Sequence, residues 1–394
     1  MLKGNVKRLL VFSSVATVIT GVYLYARPVP RINPLSQIVT PPKAQAVELP
    51  WPAAGQAAYG ASGYGVLQAH NTGAPASIAS IAKVITALAV LQQKPLAPGQ
   101  LGPVISIDAT DLEYFNYYYL NNGSSAKVEI SEKINEYQAL QAMLLPSANN
   151  FADSLARWAF GSNEAYSIYA NKLVKNIGLA HTSVGGPSGF ADDTTSTAND
   201  LVKLGIQAMA NPVIAEIVGQ PATNIPVAGD IKNVNWLLGT DGVVGIKTGN
   251  TDKAGGCYLF AAKRQIQGHS IVVVGAMLGA TDLKSAISAA QPLLASGDNG
   301  FSEVTVVRKN QVIGNYTTPW GNRAKAVAAK DVKLLAWRDS QLGIINRLEP
   351  IATPAAFGST VGKVIVQSGA ISASSSLVLS QPLSTPPWTW RLFH

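Results

Sequence analysis

A chain of 394 residues with one cysteine, Cys257, has no internal disulfide framework. Cys257 lies in an apolar, strand-like run, so buried packing is its expected role rather than redox chemistry. The four histidines, His70, His181, His269 and His394, are scattered without ligand spacing, which argues against a zinc site; no metal or cofactor is expected. His181 has no nucleophile partner in sequence and is expected to be structural or exposed. Charged residues make up only 13%, so the surface must rely on Ser, Thr, Asn and Gln. No Lys/Arg cluster interleaves with aromatics, so nucleic acid is not an expected partner. There are no internal repeats.

Hydrophobic residues make up 47% of the chain, which argues against disorder. The length suits two domains plus extra segments. The formal charge of +8 suits anionic lipids or wall polymers, and equally a generic basic protein. Residues 9–26 are apolar or small and uncharged, flanked by Lys3, Lys7, Arg8 and then Arg27. They form a marginal bilayer span or a long signal core. The absence of a good adjacent cleavage site favours an uncleaved anchor over a removed signal, with residues 1–8 cytoplasmic. Residues 27–52 are rich in proline and lack periodicity, which reads as an extended linker.

One stretch in the chain has neither Pro nor Gly from Ala76 to Leu91 and is rich in Ala and Leu, so a helix is expected there. It contains Ala79-Ser80-Ile81-Ala82-Lys83. Helical spacing brings Ser80 and Lys83 to one face, and a desolvated lysine can deprotonate a serine. A second Ser-x-x-Lys, Ser124 to Lys127, lies in a polar loop. Ser147-Ala148-Asn149 follows a helical run ended by Pro146. Lys247-Thr248-Gly249 follows an apolar run and is the only Lys-Thr-Gly or Lys-Ser-Gly in the chain.

This order of motifs resembles that of the penicillin-binding proteins and serine β-lactamases. The stretches 144–150, 187–190, 195–198, 245–252 and 254–258 extend the similarity to the low-molecular-mass D-alanyl-D-alanine carboxypeptidases. The resemblance covers roughly residues 57–300. It implies an α+β fold with an antiparallel sheet flanked by helices, and family members often add a smaller C-terminal all-β domain. The expected division is 53–297 for the serine DD-peptidase domain, 298–384 for the small β domain, and 385–394 for an aromatic, basic tail. That tail is either a membrane-binding element or a set of core-capping aromatics.

The resemblance also implies roles. Ser80 would form the acyl-enzyme, with neutral Lys83 as its base and Ser147 relaying a proton to the leaving amine. Asn149 would hold both Lys83 and a substrate carbonyl. Lys247, charged, would join Thr248 in binding the terminal carboxylate and would depress the pKa of Lys83. Gly249 would let its strand approach the substrate, and the backbone N–H groups of Ser80 and Asn250 would form the oxyanion hole. Partners so implied are peptidoglycan stem peptides, β-lactam antibiotics as covalent inhibitors, and the membrane through the N-terminal segment. The alternatives are a β-lactamase or a non-catalytic wall-binding protein. Against the first, Glu164 and Glu216 are the only glutamates between Ser147 and Lys247, and neither begins Glu-x-x-Leu-Asn.

The remaining expectations concern local structure. Residues 101–134 read as loop-rich, with Tyr114–Tyr119 an aromatic cluster that either lines a groove or packs. Helical patterns are expected at 136–145, 150–160, 165–177, 198–210 and 282–294, a hairpin over 55–69, and strands at 257–262 and 270–278.

Overall fold

Continuous burial of Gly256–Ala262 on the strand Gly255–Ile266 shows that the larger unit's sheet is covered on both faces. Leu259 pairs with Ala276, and Ala276 with Ala58; all three join the helical core. Their neighbours Phe260, Gly275 and Tyr59 form the adjacent cross-strand row, which the period of two directs to the opposite face. Gly275 is needed there, because a Cβ would fall 2.2 Å from the Phe260 ring. The strands run in the order Val243–Thr251, Gly255–Ile266, His269–Ala280, Gln56–Ala61, Gly65–His70, all antiparallel. The helix Ala198–Ala210 covers the Leu259 face: a Cβ at Gly205 would meet Val274, Ile246 and Leu259. The helix Leu283–Ser296 packs on the same strands and ends at Gly297, beside Tyr59.

The computed structural model describes residues 2–394, with side chains from residue 11 onward. It divides into two units. One comprises residues 46–302 and 337–339; the other comprises the chain up to Gln45 with 303–336 and 340–394. The first is α+β, as expected. Its helices Ala82–Gln93, Glu136–Leu144, Asn149–Phe160, Asn163–Asn176 and Ala198–Ala210 fall close to the expected periodic runs.

Tyr114–Tyr119, expected in loop-rich sequence, instead lies on a helix, Ala109–Leu120. The reason is a complete capping box between Asp108 and Asp111, reinforced from the next helix. Arg157 grips Asp108 at 2.9 Å and Asp111 at 2.8 Å, and the Ser154 hydroxyl donates to Asp111 at 2.6 Å.

The second unit is sheet-rich, and its helices among the described residues lie at the two ends of the chain. Its six-stranded sheet runs Pro34–Ser36, Val312–Thr317, Arg323–Ala328, Ile371–Leu379, Thr360–Ser368, Gly343–Leu348. The first of these strands corrects the reading of 27–52 as a free linker. Leu35 pairs with Asn315, and Ile32 and Val39 are buried in the core of this unit, so apolar residues among the prolines complete a sheet edge. The 385–394 tail forms a short helix, Trp388–Phe393, with no fully buried residue, and Trp390 meets Trp320 edge-on at 5.2 Å, against the core of this unit. Arg391 donates to the carbonyl of Tyr25 at 2.7 Å and stacks over its ring. The N-terminal helix is Leu2–Ala26, with Val11–Ala26 as its apolar stretch. Among the described residues, no single helix is long and apolar enough to cross a membrane. The expected cytoplasmic segment 1–8 has no described side chains, and Met1 lies outside the described residues.

Candidate active site

Ser80 sits in a tight turn, not in the α-helix expected for it. Ala76–Ser77 pairs with Thr195–Ser196, Ala79–Ile81 forms a single 3-10 turn, and the α-helix starts only at Ala82. Ala79 adopts φ +45°, a left-handed conformation that interrupts a helix and is costly for a residue with a Cβ. Two glycines hold it there. A Cβ at Gly189 would fall 2.0 Å from the Ala79 carbonyl oxygen, and one at Gly249 would fall 3.0 Å from the Ser80 nitrogen. Gly249 therefore lets its strand approach the nucleophile's own backbone.

Lys83 lies on the first turn of that helix and is fully buried. Its Nζ is 2.9 Å from Ser80 Oγ, 2.6 Å from Asn149 Oδ1 and 2.8 Å from the Ser188 carbonyl oxygen. Burial first, and the Lys247 ammonium second, push its pKa well below the ordinary lysine value. Two of the three contacts are pure acceptors. A neutral amine has two N–H groups, so these contacts use both and leave its lone pair facing the Ser80 hydroxyl.

Ser147 is buried and adopts φ +68° in the bend between Glu136–Leu144 and Asn149–Phe160. Asn149 opens the latter helix, with its backbone N–H bonded to the Ser124 carbonyl. Asn150, fully buried, accepts from the Ala126 N–H at 3.1 Å and donates to the Ala126 carbonyl at 2.9 Å. A carboxylate there would lose the second bond, which accounts for an amide at this position.

Lys247 and Thr248 are buried on the strand Val243–Thr251, and Asn250 is exposed near its end. Burial brings the Lys247 pKa down to about 7. This modifies the expectation of a permanently charged cation: at neutral pH Lys247 is poised between charged and neutral. Asp192 ties this strand to the nucleophile turn, accepting from the Thr251 hydroxyl and, at 2.8 Å, from the Ser77 hydroxyl. A polar cleft of ≈ 460 Å³ opens beside it, lined by Ser80, Asn149, Asn250, Asn122, Phe190 and Asp192 among others.

The structure also separates the decoys. Lys127 is exposed and paired with Glu129 at 2.9 Å, so nothing desolvates it to serve Ser124. Glu164 occupies an exposed first turn, and Glu216 accepts from the Tyr137 hydroxyl. His181 is exposed. Cys257 is buried, with its thiol pKa raised to about 12 by desolvation. Among the described residues, no three His, Cys, Asp or Glu side chains gather as metal ligands. Sequence reading gave no role to Asp153 or Asp192, and it held Tyr118 only within the 114–119 cluster and Ser188 only within the 187–190 match; the four-residue interval from Asn149 was the one local signal for Asp153.

The family model described as D-alanyl-D-alanine carboxypeptidase, peptidase S11, matches residues 58–278. This chain belongs to that family. It is 29% identical over 238 residues to the D-alanyl-D-alanine carboxypeptidase of Streptomyces sp. strain K15, covering 56% of this chain and 78% of that protein. It is 28% identical over 191 residues to the D-alanyl-D-alanine endopeptidase of Escherichia coli K12, covering 46% of this chain and 57% of that one. The crystal structure of the Streptomyces K15 DD-transpeptidase superposes with a TM-score of 0.57 at 26% identity, covering 64% of this chain and 99% of that one. The D-alanyl-D-alanine carboxypeptidase DacD from Francisella tularensis gives a TM-score of 0.59 at 19% identity over 89% of this chain and 97% of that one. That likeness shows a shared fold extending into the β unit.

Proposed function

We propose that this serine-type D-alanyl-D-alanine carboxypeptidase removes the terminal D-alanine of peptidoglycan stem peptides through an acyl-enzyme on Ser80. The observation that carries the reading is the buried Lys83 amine, with two acceptors occupying its N–H groups and Ser80 Oγ at 2.9 Å. Neutral Lys83 takes the Ser80 proton as Oγ adds to the penultimate carbonyl. The oxyanion is received by the backbone N–H groups of Ser80 and Asn250. As the C–N bond breaks, Ser147 relays the proton held by Lys83 to the departing D-alanine amine, which returns Lys83 to its neutral form. Water then releases the acyl group and regenerates Ser80. Lys247 and Thr248 hold the substrate's terminal carboxylate. That anion draws a proton onto Lys247, whose pKa lies near neutrality, and the resulting cation keeps Lys83 neutral. Carboxylate binding thus primes the base. β-Lactams acylate the same serine.

A fluorescent penicillin should label the parent and Ser124→Ala covalently but not Ser80→Ala; undiminished labelling of Ser80→Ala would sink the assignment. With a muropeptide pentapeptide, the product should be lighter by one D-alanine.

The N-terminal helix, with its uncharged 9–25 run between basic flanks, is assigned here as an uncleaved anchor that holds the peptidase domain outside the cytoplasm. The mature protein should keep its N-terminus and fractionate with membranes. N-terminal sequencing that began near Val47 would show a removed signal instead.

A further inference from the structure

Asp153, a buried acid with no part in the proposed mechanism, lies close to the base. Asp153 lies four residues after Asn149 on the helix Asn149–Phe160, so the two share a face, and Asn149 accepts from Lys83 at 2.6 Å. Asp153 is 5% exposed. Its Oδ2 accepts from the Tyr118 hydroxyl at 2.6 Å. That hydroxyl lies 3.3 Å from Ser188 Oγ, and the Ser188 carbonyl accepts from Lys83 at 2.8 Å. Asp153 thus stands at the far end of the shell that holds the base.

We propose that Asp153 is the counter-charge of Lys83, a positioning residue that opposes Lys247 in setting how readily the base sheds its proton. This rests on the reading of Ser80 and Lys83 as the acylating pair. An ionised Asp153 favours the ammonium form of Lys83, whereas a charged Lys247 disfavours it. The groups facing Asp153 are Lys83 on the nucleophile helix, Tyr114 and Tyr118 on Ala109–Leu120, and Tyr166 on Asn163–Asn176; of these, Lys83 is the cation. Burial raises the Asp153 carboxyl to about 6, so its charge changes within the working range of the base. Lys83, Lys247 and Asp153 titrate together, and an acid limb belongs to the set.

The test is acylation by a fluorescent penicillin, followed from about pH 5 to about pH 9, for the parent, Asp153→Asn and Tyr118→Phe, with Ser80→Ala as control. In Asp153→Asn, Lys83 loses its counter-charge, so the acid limb should move to lower pH by roughly one unit. In Tyr118→Phe the carboxylate loses its donor and holds its proton to higher pH, so the limb should move the same way by less. A purely structural Asp153 would lower the rate uniformly and leave the limb in place. That result, or profiles superimposable on the parent's, overturns the proposal while leaving Ser80 standing. Labelling that persists in Ser80→Ala would instead bring down the underlying reading, and this one with it.

Discussion

Replacing Lys247 with Gln should make the larger unit more stable while weakening catalysis. Lys247 is 1% exposed, and burial brings its pKa from 10.5 to about 7. Between those values the unfolded chain binds a proton that the folded chain lacks, so folded stability rises with pH across that window. The fall, at about 1.36 kcal/mol per pH unit, amounts to about 5 kcal/mol at pH 7 and below. Glutamine carries no charge to bury, but the amine's bond to the Thr248 carbonyl at 3.0 Å is lost and the new amide needs partners, at about 1–3 kcal/mol. The net gain is about 2–4 kcal/mol at pH 7, or roughly 4–16 °C in melting temperature for a unit of this size.

The sign supplies an internal control. A lysine whose folded pKa is lowered carries its full penalty below the folded value and none above the unfolded one. The variant should therefore be the more stable at about pH 7 and below, and the order should reverse toward pH 10.5, by about 1–3 kcal/mol, the cost of the amide. Thermal unfolding by circular dichroism at both ends of that range decides it. A variant no more stable at pH 7, or one whose gain persists undiminished at the alkaline end, refutes the reasoning. The same substitution removes the cation beside Lys83, so the acid limb of acylation should move to higher pH, opposite to the shift in Asp153→Asn.

Two further substitutions probe the nucleophile and its base. Lys83→Arg should lower acylation by about 10²–10⁴-fold, because guanidinium cannot give up its proton in the working range; a rate comparable to the parent's would end the general-base role. Gly249→Ala places a Cβ 3.0 Å from both the Ser80 nitrogen and Ala79 Cβ. Displacing the turn should slow acylation by roughly 10²-fold while costing only about 1–3 kcal/mol of stability, and a parent-like rate in that variant would show that the close approach is not needed.

The chemistry was legible where it is local. Ser80 and Lys83, Ser147 and Asn149, and Lys247 to Gly249 are short motifs because each occupies one turn, bend or strand. The helix 198–210 was read to its ends because apolar spacing and the Thr197 cap agree. Contacts across long separations left no trace. Ser188 reaches Lys83 over 105 residues, and Leu35 reaches Asn315 across the β unit. Tyr118 meets Asp153 over 35 residues, and its helix was hidden because an aromatic run in polar surroundings has weak periodicity. The capping box at Asp108 was the stronger signal. The strands Arg323–Ala328 and Gly343–Leu348 leave little trace in the sequence, because polar residues interrupt their apolar runs.

Three of the positions where local preference loses lie at the site around Ser80. Ala79, Ser147 and Asp192 all take positive φ without being glycine, at roughly 1–3 kcal/mol each, and two lysines are buried within the same site. Strain of this kind persists only where the surroundings over-determine it. Here the surroundings are backbone: Gly189 against the Ala79 carbonyl and Gly249 against the Ser80 N–H, with Asp192 bonding both Ser77 and Thr251. Backbone held by backbone does not relax by a change of rotamer. On the proposed reading, the Ser80 hydroxyl and the N–H groups assigned to the oxyanion therefore keep their places when the cleft is empty, so reorganisation is not added to the barrier. If Lys247 holds the substrate carboxylate as proposed, protonation of the two lysines, rather than movement of the turn, is the step that binding controls.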